Sequence, residues 1–416
     1  MNREIIYQIF PDRFFNGNPD NNFRVTKQWG DIVDRHCVMG GDLRGIIKKL
    51  DHITNLGASA IYLNPVFKAA SNHKYDTNDY YEIDDSFGNS NDFTELIDEC
   101  HKRNIKIIID GVFNHTGVEF FAFKDILKNN EKSKYKDWYD IYSYPVVVSN
   151  PPNYRACGGA EFIPKLNTSN PQVQDYIIEV IKYWESKGID GLRLDVPFEI
   201  DEALLSKIRH STNLYIVGEI WGYGSHYVPQ YFDGVTNYLF RDLLIKSVVN
   251  QCINGLMFID EWKTIEKLYE KNIFNNVNLM GSHDTERIFT LCNGNIKKVN
   301  LCFGLIFLLP GIPLVYYGDE VGIEGQNDPY CRGTMVWNKS KWKKDIYRNI
   351  QNLICLRKSS KALQSGNIHF SYVNDRIIGF IRKYKEETIK VLVNFGFQDE
   401  IIDGTQIESL SYKILE

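Results

Sequence analysis

Short runs of apolar residues alternate with amphipathic stretches along most of the chain, and that alternation predicts an α/β protein. Strands are expected at Ile5–Phe10, Ala60–Leu63, Lys106–Asp110, Gly191–Asp195, Tyr215–Glu219, Gly234–Asn237, Val277–Gly281 and Pro313–Tyr317. Between them Asp42–Leu56, Asn91–Asn104 and Pro171–Lys187 read as helices. They open on Asp42, on the Asn91-Asp92 pair, and on Asn170 before Pro171. Eight strands alternating with helices predict parallel strands joined by crossovers, and eight is the number that closes a (β/α)8 TIM barrel.

Two intervals break the rhythm. After Asp110 no further strand appears until Gly191, and much of that stretch is rich in Tyr, Pro, Asn and Gly. It reads as an inserted B domain over 115–170, dividing the barrel into 1–114 and 171–358. Beyond Arg357 the runs Arg376–Arg382 and Thr388–Asn394 are short and β-rich with turn signals between them. They predict a small C-terminal antiparallel β-domain, a β-sandwich over 359–416.

Charge narrows the partners. Lys and Arg total 48 and Asp and Glu 53, a net charge of -5, so nothing attracts nucleic acid or an anionic membrane by bulk charge. The apolar stretch Leu301–Val315 is interrupted by Pro310, Gly311 and Pro313 and falls short of a bilayer span. The start Met1-Asn2-Arg3-Glu4-Ile5 has no apolar signal core, which predicts a cytoplasmic protein. Eight singly scattered cysteines fit reduced, mostly buried thiols. None has zinc spacing with histidine. Gly40-Gly41 and Gly158-Gly159 lack the ending of a phosphate loop, and Lys341–Lys344 reads as a solvated face.

Barrel enzymes place their chemistry at the C-terminal ends of the strands. Here the third ends in Asp110-Gly-Val-Phe-Asn114-His115 and the fourth in Arg193-Leu-Asp195. The fifth ends in Glu219-Ile-Trp221, and the seventh runs into His283-Asp284. One Asp after a strand is ordinary helix capping. Acids gathered at four strand ends are not, because burying them is costly unless they are paired or useful. Arg193 and Asp195, two apart on a strand, project to the same side. Two carboxyls flanking a small volume suit glycoside hydrolysis, one attacking the anomeric carbon and the other protonating the leaving oxygen. Tyr75, Phe113 and Trp221 offer flat faces to sugar rings.

These strand ends, with Tyr7-Gln-Ile-Phe-Pro-Asp-Arg-Phe14 before them, resemble the four short signatures of the α-amylase family, glycoside hydrolase family 13. The resemblance spans the chain. It implies the barrel, the B domain after strand three, the C-terminal β-sandwich and a retaining mechanism on α-glucosidic bonds. It implies Asp195 as nucleophile, Glu219 as acid/base, Asp284 as the third carboxylate and Arg193 as the arginine orienting the nucleophile. It further implies His115 and His283 as hydrogen-bonding partners of the −1 sugar. His73-Lys-Tyr75-Asp76-Thr-Asn-Asp-Tyr80 and Ile163-Pro-Lys-Leu-Asn167 resemble segments of the neopullulanase, cyclomaltodextrinase and maltogenic amylase group. In that group the tyrosine matching Tyr75 stacks under the −1 sugar, and the pair matching Asp328 and Arg332 contacts the −2 sugar. The implied substrates are maltodextrins, cyclodextrins and pullulan, cut at α-1,4 and sometimes α-1,6 bonds. No cofactor is implied for the chemistry, and a monomer and a dimer both stay open.

Three departures from that group stand out. Its members usually carry an N-terminal sugar-binding domain, whereas the barrel here starts at residue 5. Val196-Pro-Phe198-Glu199 replaces Val-Ala-Asn-Glu and should reshape the acceptor side. Asn16, Asn18, Asn21 and Asn22, with Gly40 and Asp42, resemble a structural Ca²⁺ site, but Asn18 and Asn22 stand where Asp is frequent. A glucanotransferase using the same glycosyl-enzyme is the alternative function. A non-catalytic sugar-binding barrel is the remote one, disfavoured by the three carboxylates.

Overall fold

The computed structural model describes residues 1 and 3–415. Eight short parallel strands form the central sheet: β1 (Ile6–Ile9), β2 (Ala60–Leu63), β3 (Lys106–Gly111), β4 (Gly191–Leu194), β5 (Tyr215–Gly218), β6 (Gly234–Val235), β7 (Val277–Asn278) and β8 (Ile312–Tyr316). Their spatial order is β6-β5-β4-β3-β2-β1-β8-β7, and a parallel bridge between Thr236 and Val277 closes the ring. Each expected strand is present within three residues of its sequence limits. All eight are buried on both faces, Lys106 apart, as strands walled by helices outside and packed side chains inside must be.

The helices start where polar side chains can cap them. Asn170 accepts from the Gln172 N–H ahead of Pro171–Ser186, and Asp42 accepts from the Gly45 N–H. Two expectations need correction. The stretch Asp42–Leu56 is not one helix but two, Leu43–Lys48 and Leu50–Leu56, separated at Lys49. The helix placed over Asn91–Asn104 runs from Ser90 to Lys102, and its cap is Asn89, with Asp92 as the returning half of a capping box.

Between β3 and β4 the chain makes the helix Phe121–Asn129 and isolated antiparallel bridges such as His115–Lys165 and Tyr139–Leu166. After the helices Lys344–Ser359 and Lys361–Ser365, a four-stranded antiparallel sheet is formed by Asn367–Tyr372, Ile377–Tyr384, Glu387–Asn394 and Ser411–Leu415. A two-stranded sheet, Glu400–Ile402 with Thr405–Ile407, accompanies it. Among the described residues no helix is long and apolar enough to cross a membrane. The run at Leu301–Val315 supplies instead the end of the buried helix Ile296–Leu308 and most of β8.

Two buried arginines brace this region, Arg357 from the helix Lys344–Ser359 and Arg382 from the strand Ile377–Tyr384, and the second joins the C-terminal sheet to the barrel. Arg357 donates to the carbonyls of Phe307 (2.5 Å) and Gly311, and Arg382 to those of Leu308 (2.5 Å) and Leu363 (2.9 Å). They satisfy carbonyls that the end of helix Ile296–Leu308 leaves unpaired, at the pole where positive charge is favoured. Arg382→Met is expected to leave those oxygens buried without donors and to lower unfolding free energy by about 3 kcal/mol. A urea titration against the parent protein checks it.

Candidate active site

The order of β3, β4 and β5 sets three carboxylates side by side. Arg193, on β4, points into the barrel mouth. Its Nη1 meets Asp110 Oδ1 at 2.8 Å and Asp195 Oδ1 at 2.7 Å, while its Nη2 meets Glu219 Oε2 at 2.9 Å. The arginine and its partners are all buried. Three acids facing one guanidinium leave a negative excess in a dry place. Burial pushes the Asp195 carboxyl up, Arg193 opposes it, and the neighbouring Glu219 and Asp110 add to the rise. Asp110 is also raised by burial against the same guanidinium, while Tyr62 and Tyr75 donate to its Oδ2 at 2.8 and 2.9 Å. A carboxylate cluster of this kind gives up its protons as a set and retains one more readily than isolated acids would.

Glu219 is held at both oxygens. Oε2 also accepts from the Val196 N–H (3.2 Å), and Oε1 accepts from the Trp221 indole N–H (3.1 Å). Val196 has φ 44°, a left-handed conformation unusual for a β-branched residue and characteristic of strained functional turns. The Trp221 ring lies flat on Tyr238, with centroids 3.9 Å apart and planes 11° apart, and remains 46% exposed. Phe198 is 55% exposed beside the same turn.

Across the mouth, Asp284 Oδ2 lies 2.9 Å from His283 Nε2, and its Oδ1 lies 3.1 Å from Arg332 Nη2. Burial alone would raise this acid, but His283, Arg332 and Arg193 together hold it well below the usual carboxylate range. Arg332 also pairs with Asp328 at 3.0 Å. The Tyr75 hydroxyl lies 2.6 Å from His283 Nε2, and the two rings stack 10° from parallel. The hairpin Phe67–Ala69 with Thr77–Ile83 presents Tyr75, and the buried Lys74, at φ 63° and 2.9 Å from Asp84, fixes the turn before it. His115 is buried with no hydrogen-bond partner at Nε2. Burial lowers it to about 4.

Of the residues expected from sequence, Asp195, Glu219, Asp284, Arg193, His283, Tyr75, Arg332 and Asp328 form one connected network. His115 lies beside it, its pKa moved by the Tyr75 backbone. Two expectations fail. Asp76 is used inside its own loop, accepting from the Ala70 and Ser71 N–H groups at 3.1 and 3.0 Å and from the Ser71 hydroxyl. Phe113 packs in the core against Tyr80 instead of facing a ligand. The site also uses residues that sequence reasoning left out: Tyr62 near the end of β2 and Asn64 just after it, Gln8 on β1, which contacts His283 Nδ1 at 3.0 Å, and Tyr238. Tyr62 and Asn64 stand at a strand end and were findable by that rule. Tyr238, directly after the expected strand Gly234–Asn237, was findable in the same way.

Lys165 ties the inserted segment to this face. Its buried ammonium donates to Asn114 Oδ1 (2.6 Å) and to the Glu199 carbonyl (2.9 Å), and Asn114 in turn donates to Glu199 Oε2 (3.1 Å).

The residues expected to hold calcium are also brought together. Asn16 Nδ2 donates to Asn22 Oδ1 at 3.0 Å, and a Cβ on Gly40 (φ 83°) would meet both amides within 2.9 Å. Asn18 and Asn21 lie 3.5 Å apart through their amides, and Asp42 accepts from the Gly17 and Asn18 N–H groups. Among the described residues no three His, Cys, Asp or Glu side chains cluster as a metal site, so the donors here are amide and carbonyl oxygens plus Asp42. Asn16 Oδ1 is buried without a partner, and an oxygen set of this chemistry fits a hard cation.

The sequence matches the family described as "Alpha amylase, catalytic domain" over residues 8–208 and 199–362. The cyclomaltodextrinase of Thermoanaerobacter pseudethanolicus is 41% identical, across 97% of this chain and 72% of its own length. Neopullulanase 2 of Thermoactinomyces vulgaris is 40% identical, across 94% and 69%. The cyclic α-maltosyl-(1→6)-maltose hydrolase of Arthrobacter globiformis, in complex with that sugar, superposes with a TM-score of 0.97 at 34% identity, covering 99% of this chain and 98% of the other.

His115 gives a pH test. Its native value near 4 lies below that of an unfolded histidine, near 6.5. The unfolded chain therefore takes up the proton first as pH falls, so the contribution of neutral His115 is complete above about 6.5 and is lost toward 4. His115→Gln is expected to flatten the decline of Tm between those pH values, read by scanning calorimetry.

Proposed function

We infer that this chain, which belongs to the α-amylase family of glycoside hydrolases, is a retaining α-glucan hydrolase. The observation that carries the reading is that Asp195 and Glu219 bind neighbouring nitrogens of one guanidinium. Two carboxyls drawn to one guanidinium accord with the close spacing, roughly 5 Å, of a retaining enzyme better than with the roughly 6.5 to 9.5 Å of an inverting one.

Glu219 gives its proton to the glycosidic oxygen as that C–O bond breaks, and Asp195 closes on the anomeric carbon to form a glycosyl-enzyme. Glu219, now ionised, takes a proton from water, whose oxygen attacks the same carbon and releases Asp195. Arg193 favours the charged form of Asp195 against the rise from burial and holds its Oδ1 in place. Asp284 stays ionised among His283 and Arg332 and accepts from sugar hydroxyls, while the unpartnered His115 Nε2 is a ready partner for one more. Tyr75 supports the −1 ring from beneath. Asp328 and Arg332 serve −2, and Phe198 and Trp221 line the acceptor side.

The substrates proposed are maltodextrins, cyclodextrins or pullulan-like oligosaccharides, joined by α-1,4 and in part α-1,6 bonds. The names of the relatives and of the sugar held by the structural neighbour support that choice. A cytoplasmic location accords with eight free cysteines. A structural Ca²⁺ in the Asn16–Asn22 turn with Gly40 and Asp42 is proposed on the orphaned Asn16 oxygen, bound weakly because Asp42 is its only carboxylate.

Products from β-cyclodextrin, pullulan, starch and maltotriose, separated by chromatography, test the assignment. Ring opening and pullulan cleavage, lost by several orders of magnitude in Asp195→Asn, are expected. Starch as the sole substrate would remove the small-oligosaccharide reading, and longer sugars from maltotriose would make the protein a transferase. Millimolar Ca²⁺ is expected to raise Tm by about 3 °C over an EDTA-treated sample. Asp42→Asn, which retains an oxygen for the helix cap, should abolish that increment.

A further inference from the structure

Glu219 has to be an acid in one half of the reaction and a base in the other, so what surrounds its two oxygens matters separately. Oε2 faces the Arg193 guanidinium and the Val196 N–H, two donors on one oxygen. A proton there would displace both, so the catalytic proton belongs on Oε1. That oxygen meets a single protein donor, the Trp221 indole N–H at 3.1 Å. The indole cannot turn away without leaving Tyr238, on which it lies nearly parallel at 3.9 Å, and Tyr238 is itself buried as the first residue of the helix Tyr238–Leu244.

From this geometry we propose that Trp221 is a positioning residue for the acid/base. Its N–H aims Oε1 at the glycosidic oxygen, a role distinct from offering a sugar a flat face. The proposal rests on Glu219 being the acid/base. A donor hydrogen-bonded to a carboxyl favours its charged form, so the indole restrains the acid from staying protonated and prepares the base for the second half of the reaction.

The other ionisable groups around Glu219 come from three strands and two neighbouring segments. They are Arg193 and Asp195 at β4, Asp110 at β3, Tyr62 at β2, and Tyr238 with Asp284 beyond it. None of these hydrogen-bonds the indole nitrogen, so replacing Trp221 with another flat apolar ring changes the donor and leaves the charges.

The test compares pH profiles of kcat/KM on maltotriose, which needs a proton on its leaving oxygen, and on α-maltosyl fluoride, which does not. Trp221→Phe keeps a ring for Tyr238 and removes the N–H. On maltotriose its alkaline limb is expected to move up by about one pH unit, with kcat lowered about tenfold. On the fluoride the limb should not move. Tyr238→Leu, which leaves the indole but removes its support, should shift the maltotriose limb in the same direction by less. An unmoved limb in both variants, with only KM raised, would reduce Trp221 to an acceptor face and overturn the proposal. Glu219→Gln separates the underlying reading. It should lose far more on maltotriose than on the fluoride, and equal losses would show that Glu219 is not the acid, whatever the Trp221 variants do.

Discussion

Like charges in a dry cavity repel strongly, and the mouth of this barrel gathers Asp110, Asp195 and Glu219 within reach of each other with only Arg193 between them. Such an assembly exists only because the guanidinium is planar, permanently charged and able to donate in several directions at once. Removing it would strand three buried acids, a cost of several kcal/mol by the general behaviour of broken buried pairs. The barrel is suited to hold it. β3, β4 and β5 are adjacent in the sheet, so their ends deliver the acids and the arginine from a rigid frame instead of from loops.

Around that charge cluster the chain departs from comfortable backbone geometry at two places, both next to site residues. Lys74, at φ 63°, precedes Tyr75, and Val196, at φ 44°, follows Asp195. Each is held by something stronger than its own preference. Lys74 has the buried pair with Asp84, and the Val196 N–H has the Glu219 carboxylate. Strain of this kind persists where surrounding contacts over-determine a turn, and here it aims an aromatic ring and a backbone donor that an unstrained loop would place less closely.

Much of this architecture was legible in the sequence because buried parallel strands are apolar runs and their ends carry the polar residues that matter. The spacing of Arg193 and Asp195 gave their shared direction, and the acids at four strand ends identified one face of the barrel. What stayed hidden depends on contacts between segments remote in sequence. Phe113 follows a strand as a sugar-binding ring might, but its ring turns inward to Tyr80. Asp76 adjoins Tyr75, yet the 70–71 backbone captures its carboxylate first. Gln8 is an ordinary strand residue by pattern, and only the closed barrel brings it against His283. The helix start at Asn89 lost to the equally plausible Asn91-Asp92 because a capping box is settled by which side chain reaches back.

The Lys165 ammonium bears on how this protein can be rebuilt. It spans three pieces of chain that domain boundaries would assign separately: the end of β3 through Asn114, the inserted segment that carries it, and the turn after Asp195 through the Glu199 carbonyl. The insert is therefore not an interchangeable module. A chimera that imports another 115–170 segment must keep a lysine at 165 and a 196–200 turn of the same backbone course, or leave the Asn114 and Glu199 oxygens without their donor. The insert and the 196–200 turn are therefore one structural unit split across the sequence.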